Sequence, residues 1–277
     1  MFIVIAVLAV VIGAVASIVI LSYAIAWYEA VNDDPVLMES RFSLRNLWLA
    51  FRLILMETFA ILTTFLLLPF GLSRPKEAPP RQPDETPVIL LHGLFENRAC
   101  WLWVKFRLRR RGFRSLHTIN LPPWKDVESL TERVAKRVDE LRHAAGIERV
   151  HLVGHSMGGI IARNYLQIRG GGQKVDRCVL LAAPNCGSKL APFSIAPLGK
   201  VLLTGSEFLK RLAQAPLPAT QQIVAIYTRH DNMVLPVRYA RLDGATNIEL
   251  AGMGHSTLLY HPRAFRVLAQ ALSGDLT

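Results

Sequence analysis

The hydrophobic pattern divides the chain into unlike parts. Residues 1–28 carry no charged side chain, and the run ends in Trp27 and Tyr28. A helix needs about 20 apolar residues to cross the hydrocarbon core of a bilayer, and Trp and Tyr favour the headgroup level. The run therefore predicts a transmembrane anchor over 1–28. Ala24-Ile25-Ala26 resembles a signal-peptide cleavage site, which is the competing reading. The absence of a cationic start and the length of the apolar stretch favour the retained anchor.

A connecting segment, 29–46, leads to a second apolar stretch over 47–72, which contains Arg52 and Glu57. Both are costly at mid-membrane. Three readings compete: a second spanning helix with Arg52 snorkelling at one end, a half-embedded interfacial helix, or a soluble helix covering the domain that follows. Cations stand on both sides of it (Arg41 and Arg45 before, Arg74, Lys76 and Arg81 after), so charge leaves the orientation open. Residues 71–87 then hold five prolines among many charges. Proline denies helix and central strand alike, so this segment reads as an extended linker, 73–86, ahead of a folded domain over 87–277.

From residue 87 short apolar runs alternate with stretches of helical periodicity. Strands are predicted at 88–91, 116–121, 150–153, 178–182, 223–227 and 247–250. Helices are predicted at 98–111, 127–145, 157–168 and 262–272. In 127–145 the apolar residues Val127, Leu130, Val134, Val138 and Leu141 recur at helical spacing before Gly146. Such alternation predicts an α/β fold, a mostly parallel sheet of about six strands flanked by helices and preceded by the N-terminal hydrophobic helices. Reactive residues in such sheets gather beyond the carboxyl ends of the strands.

Three groups of residues fall there. Gly154-His155-Ser156-Met157-Gly158 follows a strongly apolar strand and opens a helix, the context in which a GxSxG turn exposes a serine nucleophile. His92-Gly93-Leu94 follows the first strand of the domain. The N–H groups of Leu94 and Met157 are the expected oxyanion donors, with Phe95 in reserve. His92 reads as a structural ring under that loop. Of the eight histidines, His255 lies in the glycine-flanked Gly252-Met253-Gly254-His255 after the last strand. It is late in the chain, as the order Ser, acid, His requires. His155 adjoins the serine and is poorly placed to serve it. Asp231, after the strand at 223–227, is the expected acid, with Asp243 its rival in a turn before the last strand.

The net charge is +11, and from residue 87 onward 26 Lys and Arg face 13 Asp and Glu. That surplus suits a surface near anionic phospholipid, or equally a set of solvated helix faces. No nucleic-acid-binding motif accompanies it, so no nucleic-acid partner is expected. Cys100, Cys178 and Cys186 form no metal-binding or even-numbered framework, and a single disulfide stays open.

Residues 87–277 resemble the small, nearly lid-less bacterial lipases of the α/β-hydrolase superfamily. The resemblance lies in ValIleLeuLeuHisGly at 88–93, HisSerMetGlyGly at 155–159, and the stretch from Arg241-Leu242-Asp243-Gly244-Ala245 through Gly254-His255 to Leu258-Leu259-Tyr260. It implies a lipase or carboxylesterase using no metal or organic cofactor, with Ser156 as nucleophile, Asp231 as acid, His255 as base, and Leu94 and Met157 as oxyanion donors. Those lipases are secreted and lack the first 86 residues found here. Expected partners are therefore a lipid or ester substrate and a membrane, taken as the bacterial cytoplasmic membrane with the domain's side open. Phe95 and Trp124 are expected to wall the substrate pocket, and a helical patch at 198–212 lines an acyl groove, shields it, or simply packs. A phospholipase A or lysophospholipase, a thioesterase or acyltransferase sharing the triad, and a non-catalytic binding protein are the rivals.

Overall fold

The computed structural model describes residues 2–39, 42–73, 86–219 and 222–276. Most of the proline-rich linker falls outside the described residues. The first helix, α1 (Phe2–Asp33), runs beyond Tyr28, and α2 (Leu44–Leu67) begins before residue 47. Both α1 and the stretch Leu44–Gly71 are long and apolar enough to cross a membrane by length and composition.

The domain that follows is built on six parallel strands: β1 (Val88–Leu91), β2 (Leu116–Ile119), β3 (Val150–His155), β4 (Val175–Leu181), β5 (Gln222–Thr228) and β6 (Thr246–Leu250). Their order across the sheet is β2-β1-β3-β4-β5-β6. The chain adds β2 on one side of β1 and then crosses to add β3 on the other. The strand order thus reverses between β1 and β3, where sheets of this kind hold their ligands.

Alternation along the strands supplies two cores. Ile89, Leu91, Leu152, Cys178, Leu180 and Ala225 face one side. That side is covered by α4 (Val127–Ala145) and α5 (Met157–Gln167) and touched by α6 (Glu207–Gln214). Val88, Leu90, Val153, Val179, Leu181 and Ile226 face the other, covered by α3 (Leu102–Arg109) and α7 (Pro262–Ser273). Burial on both faces is why β1 reads as an unbroken apolar run. Several strand bounds shift by a few residues, and two expected elements differ in kind. The helix expected from residue 98 opens as a 3-10 turn, Arg98–Trp101, because Asn97 accepts from Ala99 N–H and tightens it. The patch at 198–212 is a 3-10 stretch, Pro197–Leu202, and α6, separated at Gly205 with φ +74°.

The helix pair packs on the domain by one stripe each. Val15, Val19, Ser22 and Glu29 of α1 are buried, as are Leu53, Glu57, Ala60 and Thr64 of α2. These spacings of three, four and seven mark single helical faces. Nothing from residue 2 to 14 is buried. The outer faces display Ile18, Leu21, Tyr28, Trp48, Phe51, Leu55, Phe59 and Leu66 to the surroundings. Polar side chains on these buried faces reach the domain: Glu29 pairs with Lys189 and Thr64 meets Tyr260 Oη at 2.7 Å; just beyond α2, Asn97 and Arg98 donate to the carbonyls of Leu68 and Gly71 at 2.7 and 3.1 Å.

Candidate active site

β3 ends directly at Ser156, which has φ 51° and ψ −120° and heads α5. Such a positive φ costs a non-glycine residue energy and persists only where the surroundings dictate it. Here Ser156 N–H donates to Leu181 O at 2.9 Å, tying the turn to β4. Neighbouring glycines make room for it. A Cβ at Gly154 would lie 2.5 Å from Gly158 and Gly159 backbone, and one at Gly158 would strike the Leu91 carbonyl. The serine stays partly exposed. Met157 is the first residue of α5, so its N–H has no acceptor within the helix.

The loop after β1 lies against this turn. A Cβ on Gly93 would sit 3.1 Å from Ser156 Cβ. His92 braces the loop from below. Its Nε2 accepts from Leu121 N–H at 2.8 Å and its Nδ1 is 2.8 Å from Gly93 O, so the proton sits on Nδ1 and both nitrogens are used. Burial pushes its pKa down, against a smaller upward pull from that carbonyl. Leu94 lies partly buried against the first core, while Phe95 adopts φ 61° and is 45% exposed.

His255 follows β6 and is buried. Its Nδ1 lies 3.1 and 3.0 Å from the two oxygens of Asp231, which follows β5. Asp231 Oδ1 also accepts from Met233 N–H and Val234 N–H, each at 2.8 Å, and this fixes the carboxylate independently of the ring. Burial disfavours the imidazolium, but Asp231, through its charge and hydrogen bond, and then Glu57 and Glu96 outweigh it. The His255 pKa is raised. The rival Asp243 makes no hydrogen bond or ion pair with His255 among the described residues; it lies in the turn before β6 that Asn247 closes through Leu242.

The structure thus joins His255 to Asp231 and sets Ser156 at the end of the central strand. Among the described residues no hydrogen bond yet links Ser156 to His255, and Nε2 of His255 has no partner. Trp124 is 72% exposed between β2 and α4, and no ring contact or hydrogen bond joins it to Ser156 or His255 among the described residues.

Two carboxylates at this site were not singled out from the sequence. Glu96 accepts from Gly93 N–H at 2.7 Å and meets His155 Nδ1 at 3.1 Å. Burial alone would raise its pKa, but the charge and hydrogen bond of His155 and the Gly93 N–H hold it at about 2. Glu57 comes from α2 to the loop that carries His255, accepting from Ser256 N–H at 2.7 Å. A charge within an apolar helix was the one available signal for it.

A strained serine between a parallel strand and a helix, facing the loop after the neighbouring strand, defines an α/β hydrolase by fold. Residues 88–222 match the family described as the Alpha/beta hydrolase family. That match covers just under half of the chain, and the domain has the α/β-hydrolase fold. The chain is 30% identical over 95 residues to a (lyso)-N-acylphosphatidylethanolamine lipase of Mus musculus, a match covering 31% of this chain and 27% of that protein. It is 29% identical over 110 residues to a triacylglycerol lipase of Pseudomonas fragi, covering 38% and 36%. It spans roughly a quarter to a third of the length of these relatives. Among solved structures, the mature form of a Bacillus licheniformis lipase superposes with a TM-score of 0.58 at 20% identity over 70% of this chain and 94% of that one. Lipase B of Aspergillus fumigatus gives 0.62 at 20% identity over 74% and 57%. At that identity the likeness is one of fold.

Proposed function

We propose that the protein is a membrane-associated serine hydrolase that cleaves carboxylic esters through an acyl-enzyme on Ser156. The observation that carries this is the pairing of His255 Nδ1 with a backbone-anchored Asp231, which leaves Nε2 unengaged on the same sheet edge as the strained Ser156. Nε2 takes the serine proton as Oγ attacks the ester carbonyl, and Leu94 and Met157 N–H groups receive the charge on the former carbonyl oxygen. The tetrahedral adduct collapses, the C–O bond to the alcohol breaks, and His255 returns the proton to the departing oxygen. Water then repeats the sequence on the acyl-enzyme. Asp231 holds the ring with its proton on Nδ1 and stabilises the imidazolium. The relatives named as lipases support an ester of lipid character.

The association with a membrane rests on the helix pair. Apolar outer faces of this extent are rarely left in water. The unburied start of α1, residues 2–14, projects about 20 Å at 1.5 Å per residue, less than a hydrocarbon core of about 30 Å. With α2 occupied by the domain from Leu53 to Thr64, a half-embedded pair fits better than two free crossings.

One observation supports a phospholipid as a second reading. A groove of about 450 Å³ beside the loop of His255 is lined by Arg45, Trp48, Arg52, Arg229, His230 and Gly252, chemistry suited to a phosphate. The decisive experiment is labelling of the full chain by a fluorophosphonate, blocked in Ser156→Ala. Loss of p-nitrophenyl ester hydrolysis in Ser156→Ala and His255→Ala, with the fold kept, supports the triad. Undiminished turnover in either variant refutes it. Hydrolysis of phospholipid vesicles against an ester chain-length series separates the two substrates.

A further inference from the structure

We infer that Glu57 of α2 is a positioning residue for His255, so that the N-terminal helices are part of the catalytic apparatus as well as a means of attachment. This deepens the triad reading above and rests on it.

Glu57 is fully buried, at 0% exposure, midway along an apolar helix. An alkyl side chain would satisfy packing there, and a bare carboxylate would be expensive. Its oxygens are instead met by three donors from the two residues that follow His255: Ser256 N–H at 2.7 Å, Thr257 N–H at 3.0 Å and Thr257 Oγ1 at 2.7 Å. These residues begin the 3-10 turn Ser256–Leu259, which His255 directly precedes. Whatever fixes that turn fixes the backbone from which the imidazole projects.

The residues before His255 record the same approach. A Cβ on Gly254 would collide with Tyr23 Oη from α1 and with Glu57 Oε2, and one on Gly252 would lie 2.8 Å from the Arg52 guanidinium. Arg52 also reaches the Gly252 carbonyl at 3.5 Å. Gly254 does not have a positive φ, so glycine there answers to space and not to backbone conformation. On the remaining side His255 N–H donates to Asn232 Oδ1 at 3.2 Å, while Asn232 Nδ2 donates to Ser22 Oγ of α1 at 2.8 Å. The base is therefore held before, behind and from its own N–H by groups whose partners lie in α1 and α2.

The charge matters as well as the hydrogen bonds. The titratable groups facing the imidazole are Asp231, Glu57, Glu96, His155 and Tyr23, and Glu57 adds negative potential that favours the imidazolium.

The test uses the full chain in detergent or vesicles. Competent sites are counted by fluorophosphonate titration, and kcat per titrated site is followed against pH. Glu57→Gln is expected to lose about tenfold or more in kcat, as misplacement of a catalytic group does, with KM changed by less than about twofold. The acid limb of the profile moves to lower pH, because a negative charge has left the neighbourhood of the imidazolium. Glu57→Asp recovers the limb and part of the rate. A Glu57→Gln enzyme with wild-type kcat per site and an unmoved limb overturns the inference, even where its melting temperature falls. If that variant does not fold, Thr257→Val decides, since it removes one donor and keeps the charge. A loss of about threefold, the size of one net hydrogen bond, supports the inference, and wild-type kcat overturns it. Failure of the wild-type chain to label at Ser156 would instead defeat the triad reading.

Discussion

Two buried histidine–carboxylate pairs stand side by side in this domain, with ring centroids 5.0 Å apart. In one, Asp231 holds His255; in the other, Glu96 holds His155 at 3.1 Å. Burial and a carboxylate partner are common to both, so neither property distinguishes a base. What differs is the second ring nitrogen. His155 Nε2 faces the His255 carbonyl at 3.4 Å, which leaves that ring engaged at both ends. His255 Nε2 has no such partner among the described residues. The acids differ too. Asp231 is fixed by two backbone donors of its own loop, whereas Glu96 accepts Gly93 N–H and ties the loop after β1 to the nucleophile turn. On the proposed mechanism one pair serves proton transfer, while the other holds two loops together.

The contrast can be broken at several points. The largest effect is expected from His255→Ala, a loss of about 10⁴-fold or more in kcat, whereas His155→Asn should cost about tenfold or less. Ester turnover normalised to fluorophosphonate-titrated sites measures both, and comparable losses would erase the distinction. Asp231→Asn should follow with about 10⁴-fold, since the amide presents its N–H to Nδ1 and imposes the wrong tautomer. Single-turnover kinetics on a p-nitrophenyl ester would show it. Glu96→Gln should leave turnover per site within a few-fold but lower stability by about 1–3 kcal/mol, because His155 and Gly93 N–H lose a charged acceptor. Denaturant unfolding reads that number.

The smallest effect concerns pH. The base must be neutral to act, so activity falls as pH drops through its pKa. That pKa is raised, so the acid limb should lie above the value of about 6.5 for an ordinary histidine. Asp231→Asn removes the strongest upward influence and should move the limb down. A wild-type limb at or below that of a free imidazole would contradict the pairing.

Much of the fold was readable along the chain, because a doubly covered parallel strand such as β1 leaves a compact apolar run and α4 leaves a clean helical period. The strained turn at Ser156 was readable too, since Gly154 and Gly158 answer to collisions with nearby backbone. The extents were less so. β4 begins at Val175 and not 178, its early residues Asp176 and Arg177 being half-buried and polar. The break before α6 depends on a left-handed Gly205 that periodicity does not register. Least readable were Glu57 and Glu96. Glu57 acts on residues about 200 positions later, and a window along the chain sees only a charge misplaced in an apolar helix. Glu96 acquires meaning only when β1 and β3 become neighbours. In the sequence Gly254 is only a glycine flanking His255, whereas the groups that crowd it, Tyr23 and Glu57, come from helices at the other end of the chain.

The inward-facing polar stripe of α1 and α2 bears on how the protein can be handled. Clipping at the proline-rich linker is the obvious route to a soluble fragment, but it would strip Ser256 and Thr257 of their acceptor, uncouple Asn232 from Ser22 and uncover the floor of the histidine loop. Folded material of that kind would be expected to understate the enzyme's rate. Replacing outward residues such as Phe51, Leu55 and Phe59 with polar ones, while leaving Ser22, Tyr23, Arg52 and Glu57 untouched, is the better path to a tractable form.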